Sequence, residues 1–172
     1  KPEMAMLVPE GRREITTEGG LDIVAQEAKL RDAIARIAAA GIVVSVFIDS
    51  DQAQIEAAKR VGAQVCEVHT GPYAHAFHSC GRDAQSPAVC AELAKLASAG
   101  EAIRSLGMRF NAGHALNYFN VDPVARLAGL RELHIGHAIV SRAVFVGMRE
   151  AVREMKRLMV EARLASDVAT KP

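Results

Sequence analysis

The chain has no tryptophan, two tyrosines and only three cysteines in 172 residues, and its 21 basic side chains are balanced by 20 acidic ones. Near-neutral charge excludes a molecule-wide field that would favour nucleic acid or an anionic membrane surface, so any anion binding must be local. No apolar run approaches the roughly 20 residues needed to span a bilayer. Lys1-Pro2-Glu3 does not open a signal peptide, and a cytoplasmic protein is expected. Cys66, Cys80 and Cys90 are an odd count in a chain too long to be a disulfide-dense scaffold, which fits reduced thiols. The missing tryptophan excludes nothing.

Half of the residues are hydrophobic, enough to bury a sizeable core, and a single domain over 1–172 is expected, with a disordered tail over about 165–172. The pattern alternates strands and helices. MAMLV at Met4–Val8, IVVSVFI at Ile42–Ile48, QVCEVHT at Gln64–Thr70, Met108–Ala112 and Glu132–Ile135 read as strands. Helical spacing follows Asp22 as far as Gly41, covers the segment to Arg60, and returns over Ala88–Leu106, after Asp122-Pro123, and over Ile139–Leu164 with a break near Gly147. Asp49-Ser50-Asp51 reads as a helix cap, and Thr70–Pro87, rich in Gly, His, Ser and Pro, as an irregular segment. Val152, Met155, Leu158 and Met159 read as a core-facing stripe. Five strands alternating with five helices imply a parallel sheet with right-handed crossovers, either doubly wound or part of a (βα)8 barrel. A full barrel takes about 250 residues, about three βα units more than this chain, which is expected to start on a strand with no leader before it.

Polar groups gather where strands end, which is where such folds build active sites. His114 follows a strand and Gly113, whose flexibility allows a sharp bend, so its imidazole is either placed to move a proton near neutral pH or is a loop histidine bonded to backbone. Glu67 and His69 share one face of an otherwise apolar strand, where an unpaired carboxylate is costly. Cys66 faces the other way, as a packed thiol. Gly136 and His137 precede a helix start, whose free N–H groups suit phosphate, though a tight turn needs no such role. Thr16 and Thr17 beside Gly19-Gly20 offer a second, weaker anion cradle. His75, His78, Cys80 and Cys90 match no closed zinc spacing, so no metal is expected.

The runs LVPEGRREITTEGGLD, VSVFID, EVHTGPYA, FNAGHALNYFNV, LHIGHAIVSRAV and EMKRLMVEAR occur in that order. Together they resemble the pyridoxine 5'-phosphate synthase family of the deoxyxylulose-dependent vitamin B6 pathway, over Lys1 to about Arg163. The resemblance implies a (βα)8 TIM barrel of which this chain covers the last five βα units. It implies an enzyme that condenses 3-amino-2-oxopropyl phosphate with 1-deoxy-D-xylulose 5-phosphate, releasing inorganic phosphate and water, with no metal or organic cofactor. It further implies a homo-oligomer. Carried over by residue, it makes His114 the proton donor and Glu67 a transition-state-stabilising or proton-relaying carboxylate, with Thr16, Ala115, Gly136 and His137 binding substrate. Ala115 stands where the family usually has glycine, and His75–Ser86 is longer than the family's usual connection. The family's Asn-x-Asp-His motif, its first catalytic His with a nearby Arg, and its first catalytic Glu have no counterpart here, so the chain reads as a fragment or a truncation, with background activity alone. Two other readings stay open: a non-catalytic phosphate-binding or assembly module, and another phosphosugar barrel enzyme. A Schiff-base aldolase is disfavoured, because no lysine falls at a strand end.

Overall fold

The computed structural model describes residues 1–9 and 19–169. Five strands, β1 (Met4–Leu7), β2 (Val43–Ile48), β3 (Val65–His69), β4 (Arg109–Gly113) and β5 (Leu130–His134), form one sheet in the order β1-β2-β3-β4-β5, with every pairing parallel. The helices are α1 (Glu27–Ala39), α2 (Gln52–Arg60), α3 (Gly71–Ser79), α4 (Pro87–Ser105), α5 (Val121–Ala125), α6 (His137–Val146) and α7 (Met148–Ala169). Each crossover returns the chain to the same edge of the growing sheet, so all strand C-termini lie together.

Alternation along the strands separates two chemistries. Val44, Val46 and Ile48 of β2, Cys66 and Val68 of β3, and Phe110 and Ala112 of β4 join Ile34, Ile55, Leu96 and Ile103 in the core under the helices. The intervening residues face the other way. There the register sets Phe47 beside Glu67 and Glu67 beside Asn111, a row of non-aliphatic groups at one level of the sheet. Cys66 is on the helix side as its position implied, with Sγ 3.8 Å from Met108 Sδ; burial pushes its thiol up to about 12, which leaves it unreactive.

Three expectations need correction. Half of Thr70–Pro87 is helix α3, started by Pro72 in its first turn, with Tyr73 and Phe77 buried four residues apart on one face. The Gly, His and Ser content concealed that apolar pair, and the long connection at His75–Ser86 is the end of this helix followed by turns leading into α4. On α7 the buried stripe contains Ala151, Met155 and Ala162, while Val152 is exposed, because the face is read by small residues as well as large ones. The same helix continues to Ala169, well into the expected tail, because nothing in Ala165–Ala169 breaks it. Of the N-terminal candidates, Arg12, Arg13, Thr16 and Thr17 lie outside the described residues.

Helix α4 meets the sheet closely at Gly100, where a Cβ would collide with the ring of Phe110. Alanine is normally favoured over glycine in a helix by about 1 kcal/mol, but overpacking costs about 1–3 kcal/mol. Gly100→Ala should therefore lower the urea midpoint of unfolding; a raised midpoint would show that α4 has room to move away from β4.

Candidate active site

Glu67 leaves the centre of β3 on the non-helical face and is 1% exposed. A carboxylate there requires partners. It has two: Oε2 bonds His134 Nδ1, and Oε1 lies 3.8 Å from His114 Nδ1. His134 comes from the end of β5, two residues beyond Glu132 and therefore on the same face, and its Nε2 is 3.5 Å from Glu132 Oε2. That oxygen also accepts from Asn111 Nδ2 at 3.2 Å, while Asn111 Oδ1 is buried without a hydrogen-bond partner. The hydrogen bond to Glu67 holds His134 above its ordinary value, against the effect of burial, and Glu132 adds to the rise.

His114 is positioned by backbone conformation. The chain turns at His114 and Ala115, with φ of 76° and 56°, and not at Gly113, which belongs to β4 and has no positive φ. Gly113 is required for space, because a Cβ would meet Glu67 Oε1 and crowd the carbonyl of His134. The Thr70 hydroxyl donates to the Gly113 carbonyl at 2.6 Å and to that of His114, and the Thr70 amide bonds Gly113 O at 2.8 Å, tying the turn to the end of β3. The His114 ring packs on Phe47, centroids 4.3 Å apart, and meets His69 edge-on at 5.7 Å. Desolvation lowers its pKa, His69 and His134 push the same way, and Glu67 opposes them. Ala115 pays for its left-handed conformation, a cost of about 1–2 kcal/mol that glycine would avoid.

Asp49 is not the helix cap. Asp51 caps α2, accepting from Gln54 N at 3.0 Å, whereas Asp49 uses Oδ1 on His69 Nδ1 and Oδ2 on Gly20 N, both at 3.0 Å. Helix α6 begins at His137 with Gly136 as its N-cap, and no side chain caps its free amides. Nothing approaches within 4 Å of where a Gly136 Cβ would stand. These parts enclose a cleft of about 590 Å³ lined by Glu67, His114, Ala115, His134, Gly136 and His137, among others.

The fold thus brings together five of the six residues singled out from sequence; Thr16 is outside the described residues. His134, which lines the cleft, and Asp49, which holds His69, were missed. The available signal was period two: Glu132 and His134 share a face of their strand, as Glu67 and His69 do. Among the described residues, no group of His, Cys, Asp and Glu is arranged to hold a metal, and no helix is long and apolar enough to cross a membrane. The arrangement offers proton transfer through His114, a fixed carboxylate, and an anion site at the start of α6.

Residues 1–161 match the family model described as pyridoxal phosphate biosynthesis protein PdxJ. The chain is 76% identical over 162 residues to a pyridoxine 5'-phosphate synthase of Dechloromonas aromatica (strain RCB), covering 94% of this chain and 64% of that protein. It is 77% identical over 162 residues to one of Azoarcus sp. (strain BH72), covering 94% and 65%, and 50% identical over 166 residues to one of Rhodopirellula baltica (strain DSM 10527 / NCIMB 13988 / SH1), covering 96% and 64%. The chain therefore spans just under two thirds of the length of these relatives. Its fold is similar to a chain in the crystal structure of the Amycolatopsis orientalis BexX/CysO complex, with a TM-score of 0.55 at 20% identity, covering 85% of this chain and 53% of that one.

Two of the cleft histidines, His134 and His114, shift in opposite directions, which gives a test by linkage. His134, raised above 6.5, contributes stability that is complete below that value and is lost as pH rises through its folded value. His114, lowered below 6.5, weakens the fold as pH falls from 6.5 through its folded value. Relative to wild type, His134→Asn should lose more stability at about pH 5 than at about pH 8, and His114→Asn should gain at the acid end. Urea midpoints at the two pH values check this, and identical pH dependence in all three proteins would refute the pairing.

Proposed function

The chain belongs to the family described as pyridoxal phosphate biosynthesis protein PdxJ, and on that premise we propose that it acts as a pyridoxine 5'-phosphate synthase. The reaction joins 3-amino-2-oxopropyl phosphate to 1-deoxy-D-xylulose 5-phosphate and yields pyridoxine 5'-phosphate, inorganic phosphate and water. In this reading the five-stranded parallel sheet is part of a (βα)8 barrel, the polar face is the barrel interior, and the protein is a cytoplasmic homo-oligomer. The observation that carries the proposal is the Glu67 carboxylate held between His114 and His134, beside an uncapped helix start.

Imine formation, proton shuffling, loss of phosphate and ring closure need acid and base groups and anion sites. The Glu67 carboxylate stabilises iminium-like positive charge in a site where water cannot screen it. His114 gives a proton to a departing hydroxyl or phosphate oxygen; its lowered pKa makes the imidazolium a stronger acid, and the negative charge of bound phosphate favours loading that proton. The amides at Gly136 and His137 hold a phosphate group at the positive end of α6. Ala115, in the turn after β4, contacts substrate, and Thr16 is a further substrate contact. None of these roles calls for a metal or organic cofactor.

In this reading the full-length protein, assayed with both phosphorylated substrates, should form pyridoxine 5'-phosphate at the same rate with and without chelator, while the 172-residue chain alone should stay at background; chelator loss reversed by zinc would overturn the metal-free reading. His114→Asn keeps a hydrogen-bonding side chain that cannot titrate, so kcat should fall by about 10²- to 10⁴-fold with little change in substrate binding. Gly136→Val should do the reverse, raising KM by crowding phosphate at the helix start. A His114→Asn enzyme within a few-fold of wild-type kcat would remove His114 from the chemistry.

A further inference from the structure

Glu67 is the most buried ionisable group in the cleft, and its closest partner is His134, a residue the roles proposed above leave unused. Three features set His134 apart from a histidine that merely fills space. It bridges two carboxylates, Nδ1 to Glu67 and Nε2 towards Glu132. Its side chain is 31% exposed while Glu67 is 1% exposed, so it stands between the buried carboxylate and the cleft. It also binds only one edge of Glu67, Oε2, and leaves Oε1 directed at His114.

We propose that His134 is a positioning residue: its imidazolium clamps Glu67 Oε2, so that Oε1 is held towards His114 and the reacting groups, and Glu132 and Asn111 hold the clamp in place. The inference rests on the synthase reading of the cleft. Without the clamp, Glu67 has only the 3.8 Å approach of His114, too long for a hydrogen bond, to fix its rotamer. Space on the other side is closed, because Gly113 leaves no more room than the carboxylate occupies. The charged groups around His134 are Glu67 from β3, Glu132 from its own strand, and His114 from the turn after β4, with His137 lining the same cleft from α6. Two carboxylates against one nearby imidazole favour the protonated state, in agreement with the upward shift of His134. A charge-assisted bond is about twice as strong as a neutral one, so the clamp weakens when His134 loses its proton.

The test uses the full-length protein and reads the pair first without turnover. Imidazole NMR should give His134 a midpoint above 6.5 that falls in Glu67→Gln; a midpoint unmoved by that substitution would overturn the pairing, whether or not the protein makes pyridoxine 5'-phosphate. Failure of wild type to make that product would instead sink the synthase reading and leave the NMR result standing. In turnover, His134→Asn keeps an N–H donor without the charge. Below the wild-type His134 midpoint its kcat should be about ten- to a hundred-fold under wild type, with KM within about threefold. The ratio should shrink towards one as pH rises through that midpoint. A purely structural role gives the same ratio at every pH, and that result, or no loss at all, would overturn the proposal. Glu132→Gln leaves Glu67 and His134 in place, so it serves if His134→Asn does not fold: the His134 midpoint and the pH at which kcat declines should both move down together, and movement of one without the other would contradict the clamp.

Discussion

A carboxylate buried in the middle of a parallel sheet is the constraint from which the rest of the site follows. Removing Glu67 from water costs several kcal/mol unless charge and hydrogen bonds replace the lost solvation. The replacements come from two other strand ends, β4 with its following turn and β5, so the pairing depends on the order of strands and cannot be satisfied locally. Once His134 and His114 are committed to Glu67, Gly113 must lack a side chain, and the chain must turn after β4 at His114 itself. Thr70 then fixes that turn from the end of β3. Two non-glycine residues in the left-handed region, each costing on the order of 1–3 kcal/mol, are retained where they aim an imidazole at a carboxylate.

The same logic explains the division of the sheet. On the helix side, Val44, Val46, Val68, Phe110 and Ala112 make an ordinary close-packed core. On the other side the residues alternate into a connected polar set running from Asp49 through His69 to His114, and from Glu67 through His134 to Glu132 and Asn111. The side-chain oxygen Oδ1 of Asn111, buried without a partner, belongs to that face. Such a face is stable only when the groups satisfy one another, and it is where an α/β protein can place acid and base groups away from bulk solvent.

Much of this could be read in the sequence because strand alternation has a strict period of two. IVVSVFI and QVCEVHT declare both a strand and the side on which Glu67 must lie, and the glycines before His114 and His137 mark where strands give way to turns. What escaped has physical reasons. Helix α3 is short, and its burial rests on Tyr73 and Phe77 within a polar composition that resembles a loop. Asp49 has the sequence context of a cap, and only the spatial position of His69 and Gly20 reveals a different use. His134 has an unremarkable place in its strand, and its importance depends on a contact with a residue 67 positions earlier. The strain at Ala115 is invisible without φ, although the departure from the family's usual glycine pointed to that residue.

The central claim is that Glu67 serves the chemistry and is not merely a tolerated buried charge. Glu67→Gln separates these, because the amide keeps the shape and can still meet His134 while losing the charge. Rates of pyridoxine 5'-phosphate formation from both phosphorylated substrates, measured alongside equilibrium binding of each substrate, decide the matter. The account predicts a loss in kcat of about 10²-fold or more with binding nearly unchanged. A Glu67→Gln protein that turns over like wild type would contradict it.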